Sequence, residues 1–327
     1  MNCDSVRSVP MHFRATHSGF ARGWYAVVSG GEIHADTLKP IYWLDQQLIV
    51  YRTQGGKAQV ADAYCPHLGA HLASHDGSID AGQITCPFHK WRWDGETGRC
   101  SHIPYASSLP PGTVKLTLHE TREVDGDVLM WFDPRGKAPD FEPFSSPDFQ
   151  RDRWILFDER AFDTTCPFPD IYENLFDSAH IVQLHRAKKT PQLENMAERP
   201  HGMYVEYAID PDAEDQALEQ IAINFTGITL MNQHYVGRGW EALFFIALTP
   251  VDFETTRQSM RLYLKDMGSQ EAHDALGKPF VERFVYEVEQ DLKVINFKKH
   301  LPTPRLSRND GPIYQYREYA AKFLQQP

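Results

Sequence analysis

The sequence predicts an α+β protein in two parts, an N-terminal all-β domain and a C-terminal domain built from an antiparallel sheet with helices. Three observations carry this expectation. Up to about residue 140 the apolar residues come in short runs divided by turn signals. Beyond that point, alternating strands lie between two longer stretches of helical periodicity. Between the two parts, residues 134–147 are rich in Pro, Asp and Ser and show no period, the composition of a linker. At 327 residues the chain has room for two domains of ~100–200 residues each. The expected division is an N-terminal segment over 1–20, one domain over 21–140 and a second over 141–327.

Within the first part, 42–44 and 48–51 are short apolar runs, Gly55 and Gly56 supply a hairpin turn, and the chain returns over 58–60. Val114, Leu116 and Leu118 then alternate with Lys115, Thr117 and His119. A turn at Asp125 and Gly126 leads into 128–132, a second hairpin. In the second part a helix is expected over 170–184. Ile221, Ile223 and Phe225 alternate with smaller or more polar residues, and 242–248 and 259–264 read as further strands. A last helix is expected over 278–299. At 100° steps, Phe280, Val281, Phe284, Val285, Val288, Leu292 and Ile295 fill one apolar arc of that helix, and Asp291 falls inside it.

Composition sets the class. Hydrophobic residues at 42% and charged residues at 24% describe a folded globular chain and exclude a disordered, collagen-like or coiled-coil one. The longest apolar run, 242–248, is far short of the ~20 residues a membrane span needs, so no transmembrane segment is expected. The N-terminus lacks the roughly 7–15-residue apolar core of a secretory signal, which makes the cytoplasm the expected location. A formal charge of −11 argues against nucleic-acid binding. Arg186, Lys188 and Lys189, and Lys298 and Lys299, form short basic clusters that read as solvated surface, the alternative being a docking patch for an acidic redox partner. Five cysteines without an export signal point to metal binding rather than disulfides.

The cysteines are informative where they pair with histidines. Cys65 and His67 form a C-x-H, and after an 18-residue gap Cys86 and His89 form a C-x-x-H. Pro66 and Pro87 stiffen both segments. Four such ligands could hold zinc, but zinc fingers place both cysteines in one element and both histidines in the other. One thiolate and one imidazole per loop suits a Rieske [2Fe–2S] cluster, with Cys65 and Cys86 on one iron and His67 and His89 on the other.

A second set of donors lies downstream. His180 and His185 are five apart, about 140° around a straight helix, so both can face one ion only if the helix ends or distorts between them. Asp177 and His180, three apart, share a face. Two histidines so spaced also occur simply as core or surface residues. Asp291, pointed into a core, needs a metal, a buried Arg or backbone amides, and periodicity does not choose among these. Two histidines and one carboxylate are the ligand set of non-haem Fe(II) oxygenases.

Residues 62–72 and 86–93, with Cys65, His67, Cys86 and His89 at their centres, resemble the Rieske domain of ring-hydroxylating-type oxygenases. More narrowly they resemble the branch of 3-ketosteroid 9α-hydroxylases and cholesterol 7-desaturases. Lys90 stands where that family has Gly, which implies either a different loop backbone or an added positive charge near the cluster. His71, Trp91 and Trp93 are expected to pack the cluster loops. The series Asn174, Asp177, His180 and His185, followed by Glu289, Gln290 and Asp291, is similar to the catalytic domain of the same family. So is the tail, through Asp310, Gly311, Pro312, Ile313, Tyr316 and Arg317, whereas the match over about 195–270 is much weaker.

The resemblance implies a Rieske domain followed by a helix-grip-like catalytic domain. It implies His180, His185 and Asp291 as ligands of a mononuclear Fe(II), and Asp177 as a bridge to a Rieske histidine of a neighbouring subunit in a homotrimer. It further implies a monooxygenase using O2 on a hydrophobic polycyclic, steroid-like substrate. The chain has neither a dinucleotide-binding G-x-G-x-x-G nor a plant-type ferredoxin run, so electrons from NAD(P)H are expected through a separate reductase, with or without a ferredoxin. The alternatives are a demethylase or hydroxylase of smaller aromatics or amines, a Rieske electron carrier without oxygenase activity, and a structural zinc protein. Cys3, Cys100 and Cys166 have no motif partner.

Overall fold

A computed structural model describes residues 19–144, 153–189, 192–208, 218–307 and 309–324. The segment expected over 1–20 lies outside the described residues save for its last two, and Cys3 lies outside them as well.

The first eleven strands form three small antiparallel sheets. β1 (Gly23–Ser29), β2 (Lys39–Trp43), β3 (Gln46–Arg52) and β4 (Ala58–Asp62) are followed by four short strands, β5 (Ser78–Asp80), β6 (Gln83–Thr85), β7 (Arg92–Asp94) and β8 (Cys100–His102). β9 (Leu118–His119), β10 (Thr121–Val124) and β11 (Asp127–Phe132) complete the set. The sheet orders are β1-β11-β10, β2-β3-β4-β9 and β5-β6-β7-β8. The expected turn at Asp125 and Gly126 joins β10 to β11, and both residues adopt positive φ, 52° and 94°, as a two-residue hairpin of this hand requires. The alternation over 114–118 forms less strand than expected. Leu118 pairs with Ala61, while Lys115 makes only an isolated bridge to Arg99.

The second part is a seven-stranded antiparallel sheet in the order β12-β18-β17-β16-β15-β14-β13. Its strands are β12 (Trp154–Thr164), β13 (Gln192–Arg199), β14 (Gly202–Ala208), β15 (Leu218–Thr226), β16 (Leu230–Gly237), β17 (Trp240–Pro250) and β18 (Thr256–Lys265). The helices are α1 (Phe168–Glu173) and α2 (Ser178–Gln183) between β12 and β13, then α3 (Gln270–Ile295) and α4 (Ile313–Ala320) after the sheet. β12 escaped the sequence reading because the consecutive charges at Asp158, Glu159 and Arg160 break any apolar–polar alternation. Asp163 pairs with Arg257 and Glu159 with Arg261 across the strand boundary.

α3 begins eight residues before the expected start and runs through Pro279. Ser269 caps it by accepting from the Ala272 amide at 3.2 Å. It ends at Ile295, short of residue 299, where the Asn296 side chain accepts from the Thr164 hydroxyl and the Thr165 amide. Phe280 and Phe284 lie over the sheet, Phe284 stacked on Phe244 at 4.4 Å and Phe280 edge-on to Tyr235 at 5.3 Å. On the other side of the sheet lies β1, and the hydroxyls of Thr229 and Thr249 donate to the Trp24 and Ala26 carbonyls.

The linker-like composition of 134–147 does not make a free tether, at least over its described part. Phe141 is buried among Trp131, His201 and Phe323, and its carbonyl accepts from the Trp24 indole at 2.8 Å. The largest core accordingly runs from Trp24, Leu129 and Trp131 of the small sheets through Phe225, Phe244 and Leu262 of the large one.

Candidate metal centres

Two turns of matching construction carry the first donor set. In each, the cysteine amide donates across the loop, Cys65 to the Ala70 carbonyl and Cys86 to the Trp91 carbonyl, both at 2.8 Å. In each, a residue four places on returns a hydrogen bond to the cysteine carbonyl, Gly69 to Cys65 at 2.9 Å and Lys90 to Cys86 at 3.1 Å. That fourth residue must be left-handed. Gly69 has φ 73° and Lys90 φ 56°, so Lys90 follows the conformation its glycine counterpart adopts and the backbone is not rerouted. Its ammonium lies 3.6 Å from Asp76.

The turns bring the four side chains together. Cys65 and Cys86 are buried, and the His67 and His89 rings lie 4.9 Å apart. Trp91 stacks on His67 at 4.3 Å with planes 9° apart and donates its indole N–H to the Tyr105 hydroxyl at 2.7 Å. Trp93 is fully buried beneath the loops, and His71 accepts from the Ala73 amide. Burial and the neighbouring Cys86 push the Cys65 thiol up to about 11. A coordinating metal would take the place of the Cys65 proton. Nδ1 of His89 is buried with no hydrogen-bond partner. An orphaned imidazole nitrogen, in matched turns that bring the two thiols together and the two imidazoles together, fits a two-iron, two-sulfide cluster.

The second donor set depends on a break in the helix expected over 170–184. α1 ends at Glu173, a single 3-10 turn covers Asn174–Phe176, and Asp177 adopts extended angles, φ −86° and ψ 91°. There its carboxylate restarts the chain as the cap of α2, accepting from the Ala179 and His180 amides at 3.1 and 3.3 Å. α2 stops at Gln183, so His185 stands beyond the helix, as the 140° argument requires of two histidines that converge. The His180 and His185 rings come within 5.0 Å.

Asp291 reaches this pair from α3. Its Oδ1 lies 3.1 Å from His185 Nε2 and 4.0 Å from His180 Nε2, and one donor atom from each of the three residues lies within 4.8 Å of the others. His180 Nδ1 donates to the Asp177 carbonyl at 2.5 Å, which fixes the tautomer that leaves Nε2 as a lone-pair donor. Burial raises the Asp291 carboxyl above the usual carboxylate range, against the pull of both imidazoles and of the Asn174 amide, which donates to it. A cation among these atoms would hold it ionised. Two imidazoles and one carboxylate that converge, with His185 Nδ1 and Asp291 Oδ1 buried and without hydrogen-bond partners, fit a divalent iron with positions left open.

The three residues open onto a cavity of about 730 Å3 between α3 and the sheet, a size within the range of small-molecule sites. Its walls include Ile221, Ile223, Trp240, Leu276, Phe280, Phe284 and Val288. Sequence reasoning assigned no role to Asn174 or to Gln233 and Tyr235 of β16, which also line the cavity. The legible signal for Gln233 was a polar residue at an inward register position between Met231 and Tyr235.

Behind the site, Asp170 and Glu173 of α1 are buried and meet the chain after α3. His300 pairs with Asp170 at 2.6 Å, and Lys298 and Arg317 pair with Glu173. Lys298 therefore belongs to an internal ion cluster and not to the solvated basic patch expected of it. Cys100 and Cys166 are buried free thiols. No helix among the described residues is long and apolar enough to cross a membrane.

Residues 23–115 match the Rieske [2Fe-2S] domain family, and residues 130–324 match the 3-ketosteroid 9α-hydroxylase C-terminal domain family. The chain is similar to the oxygenase component of 3-ketosteroid-9-alpha-monooxygenase from Rhodococcus rhodochrous, with 27% identity over 93% of this chain and 82% of that protein. It is 26% identical to cholesterol 7-desaturase nvd of Xenopus laevis over 93% of this chain and 72% of that one. Among solved structures it resembles Pseudomonas putida CBB5 NdmA with caffeine, at a TM-score of 0.74 and 18% identity over 91% of this chain and 89% of that one. It also resembles dicamba monooxygenase bound to dicamba, at a TM-score of 0.64 and 17% identity over 94% and 98% of the two chains. These structural likenesses establish the fold.

Proposed function

Because this chain belongs to the Rieske oxygenase family, as a Rieske [2Fe-2S] domain joined to a 3-ketosteroid 9α-hydroxylase C-terminal domain, we propose that it is the terminal oxygenase of a multicomponent monooxygenase that hydroxylates or desaturates a hydrophobic polycyclic substrate. Cys65, His67, Cys86 and His89 hold the cluster, and His180, His185 and Asp291 hold the mononuclear iron. When bound, these metals supply stored electrons and dioxygen activation, drawing on NAD(P)H through a reductase. The observation that carries the proposal is the convergence of two imidazoles and a carboxylate within 4.8 Å at the wall of a large apolar cavity.

The remaining residues orient and exclude. The Asp177 carbonyl and the Asn174 amide hold His180 and Asp291 in place, and the aromatic wall from α3 removes water from the substrate. Among the described residues no hydrogen bond or ion pair joins the two donor sets within one chain. The proposed assembly is a homotrimer in which Asp177 bridges His180 to a Rieske histidine of the adjacent subunit.

Iron and sulfide analysis with oxygen-uptake and product assays against steroids and small aromatics tests this reading. Three irons and two sulfides per chain, with turnover of a steroid, are expected. His180→Ala should keep the cluster's visible absorbance and lose turnover. An active, iron-replete variant would remove His180 from the site. Products from small aromatics alone would make the chain a demethylase or hydroxylase of those compounds, and zinc in place of iron would end the oxygenase reading.

A further inference from the structure

On the face of the large sheet turned toward α3, one row of aligned residues is apolar except at a single position. Across four neighbouring strands the register aligns Val205, Ile223, Gln233, Phe244 and, on the fifth, Leu262. The four flanking residues all belong to the hydrophobic core, and Gln233 is 3% exposed. An amide in such a row is destabilising unless its hydrogen bonds are made.

Only half of this amide is conventionally satisfied. The Tyr235 hydroxyl donates to Gln233 Oε1 at 2.8 Å. Burial raises the Tyr235 hydroxyl far above its ordinary range, so it remains a donor. Gln233 Nε2, with two N–H bonds, has the Met231 thioether at 3.6 Å as its partner, a weak acceptor. Exchanging the amide's oxygen and nitrogen would turn a carbonyl toward the sulfur, which cannot donate, so the thioether contact favours this orientation. Met231, Gln233 and Tyr235 all line the cavity that holds His180, His185 and Asp291. Gln258 on β18 makes a similar contact with Met260 but is half-buried, where water can complete its hydrogen bonds.

We propose that Gln233 is a specificity residue whose Nε2 donates to an oxygen acceptor on the substrate, so that the preferred substrate is an apolar ring system bearing a carbonyl or hydroxyl oxygen rather than a plain hydrocarbon. This rests on the oxygenase reading of the cavity. Tyr235 orients the glutamine, leaving its N–H groups to the ligand. A buried amide donor on the sheet side of a largely apolar pocket, whose walls also carry Gln258, Arg283 and Glu287, helps to set which end of the molecule meets the sheet, and with it which carbon is presented to the histidines and Asp291.

The test is calorimetric binding to the metal-loaded protein of matched pairs, each an oxygenated ring compound and its deoxy analogue, drawn from steroids and from small aromatics. The wild type is compared with Gln233→Leu and with the double variant Gln233→Leu, Tyr235→Phe, which leaves no hydroxyl stranded. Both variants should bind the oxygenated member about tenfold more weakly, the worth of one buried hydrogen bond, while affinity for the deoxy member stays level. Equal loss for both members, no loss for either, or no binding of any pair by the wild type would overturn the assignment. If only aromatic pairs bind, the polycyclic reading fails and Gln233 is judged on those pairs by the same ratio.

Discussion

At Lys90 a residue is held in the left-handed region by its position in a metal-binding turn, and two opposing magnitudes decide its net effect. A non-glycine residue costs roughly 1–2 kcal/mol there relative to Gly. The contact with Asp76 is exposed and worth only about 0–1 kcal/mol. Lys90→Gly is therefore expected to stabilise the loop by about 0.5–1 kcal/mol once the greater freedom of unfolded glycine is counted. The measurement is the urea midpoint for bleaching of the cluster's visible absorbance, which should rise, whereas a lower midpoint would mean the ion pair outweighs the backbone strain. Such a site is legible as chemistry in the sequence, since C-x-H and C-x-x-H name the candidate ligands. The conformation of the loop was not, because a lysine in place of glycine leaves open whether the backbone or the side chain adapts.

The element that matters most is the helix that is not continuous. Read by periodicity, 170–184 is one helix, yet the site exists because Asp177 interrupts it and caps α2. Asn caps as well as Asp does, while Ala loses about 1 kcal/mol. Asp177→Asn should therefore leave thermal stability unchanged and both metals bound, and Asp177→Ala should lower stability by about that amount. If the carboxylate also links subunits electrically, both variants slow reoxidation of the reduced cluster by substrate and O2 in single-turnover experiments. Unchanged kinetics in Asp177→Asn would reduce the residue to a cap. In the sequence, Asp177 reads as sharing a face with His180, and the two histidines as too far apart in angle for one straight helix. Their joint meaning needed the chain's actual path, because a cap and a mid-helix aspartate look alike in a string of residues.

On the scale of the whole molecule, the expected division near residue 140 tracks the change in pattern, but packing crosses it. Trp24, from the small sheets, is fully buried against Trp131 and the linker carbonyl of Phe141, and its own carbonyl takes a hydroxyl from Thr229 of the large sheet. Parts that share a core unfold together. Trp24→Ala should cost about 3–5 kcal/mol and lower the transitions seen by cluster absorbance and by far-ultraviolet dichroism equally. Separated transitions would show two independent units.

The candidate donors, their order and the two-part α+β plan were legible in the sequence alone, because candidate ligands are named by residue type and spacing, and strand and helix periods are local. Asp291's meeting with His180 and His185 joins residues more than a hundred positions apart. The polar handle at Gln233 depends on the register of five strands, and the ion cluster of Asp170, Glu173, Lys298 and Arg317 on where the tail returns. These were decided only in three dimensions, since each rests on long-range packing that no local pattern encodes.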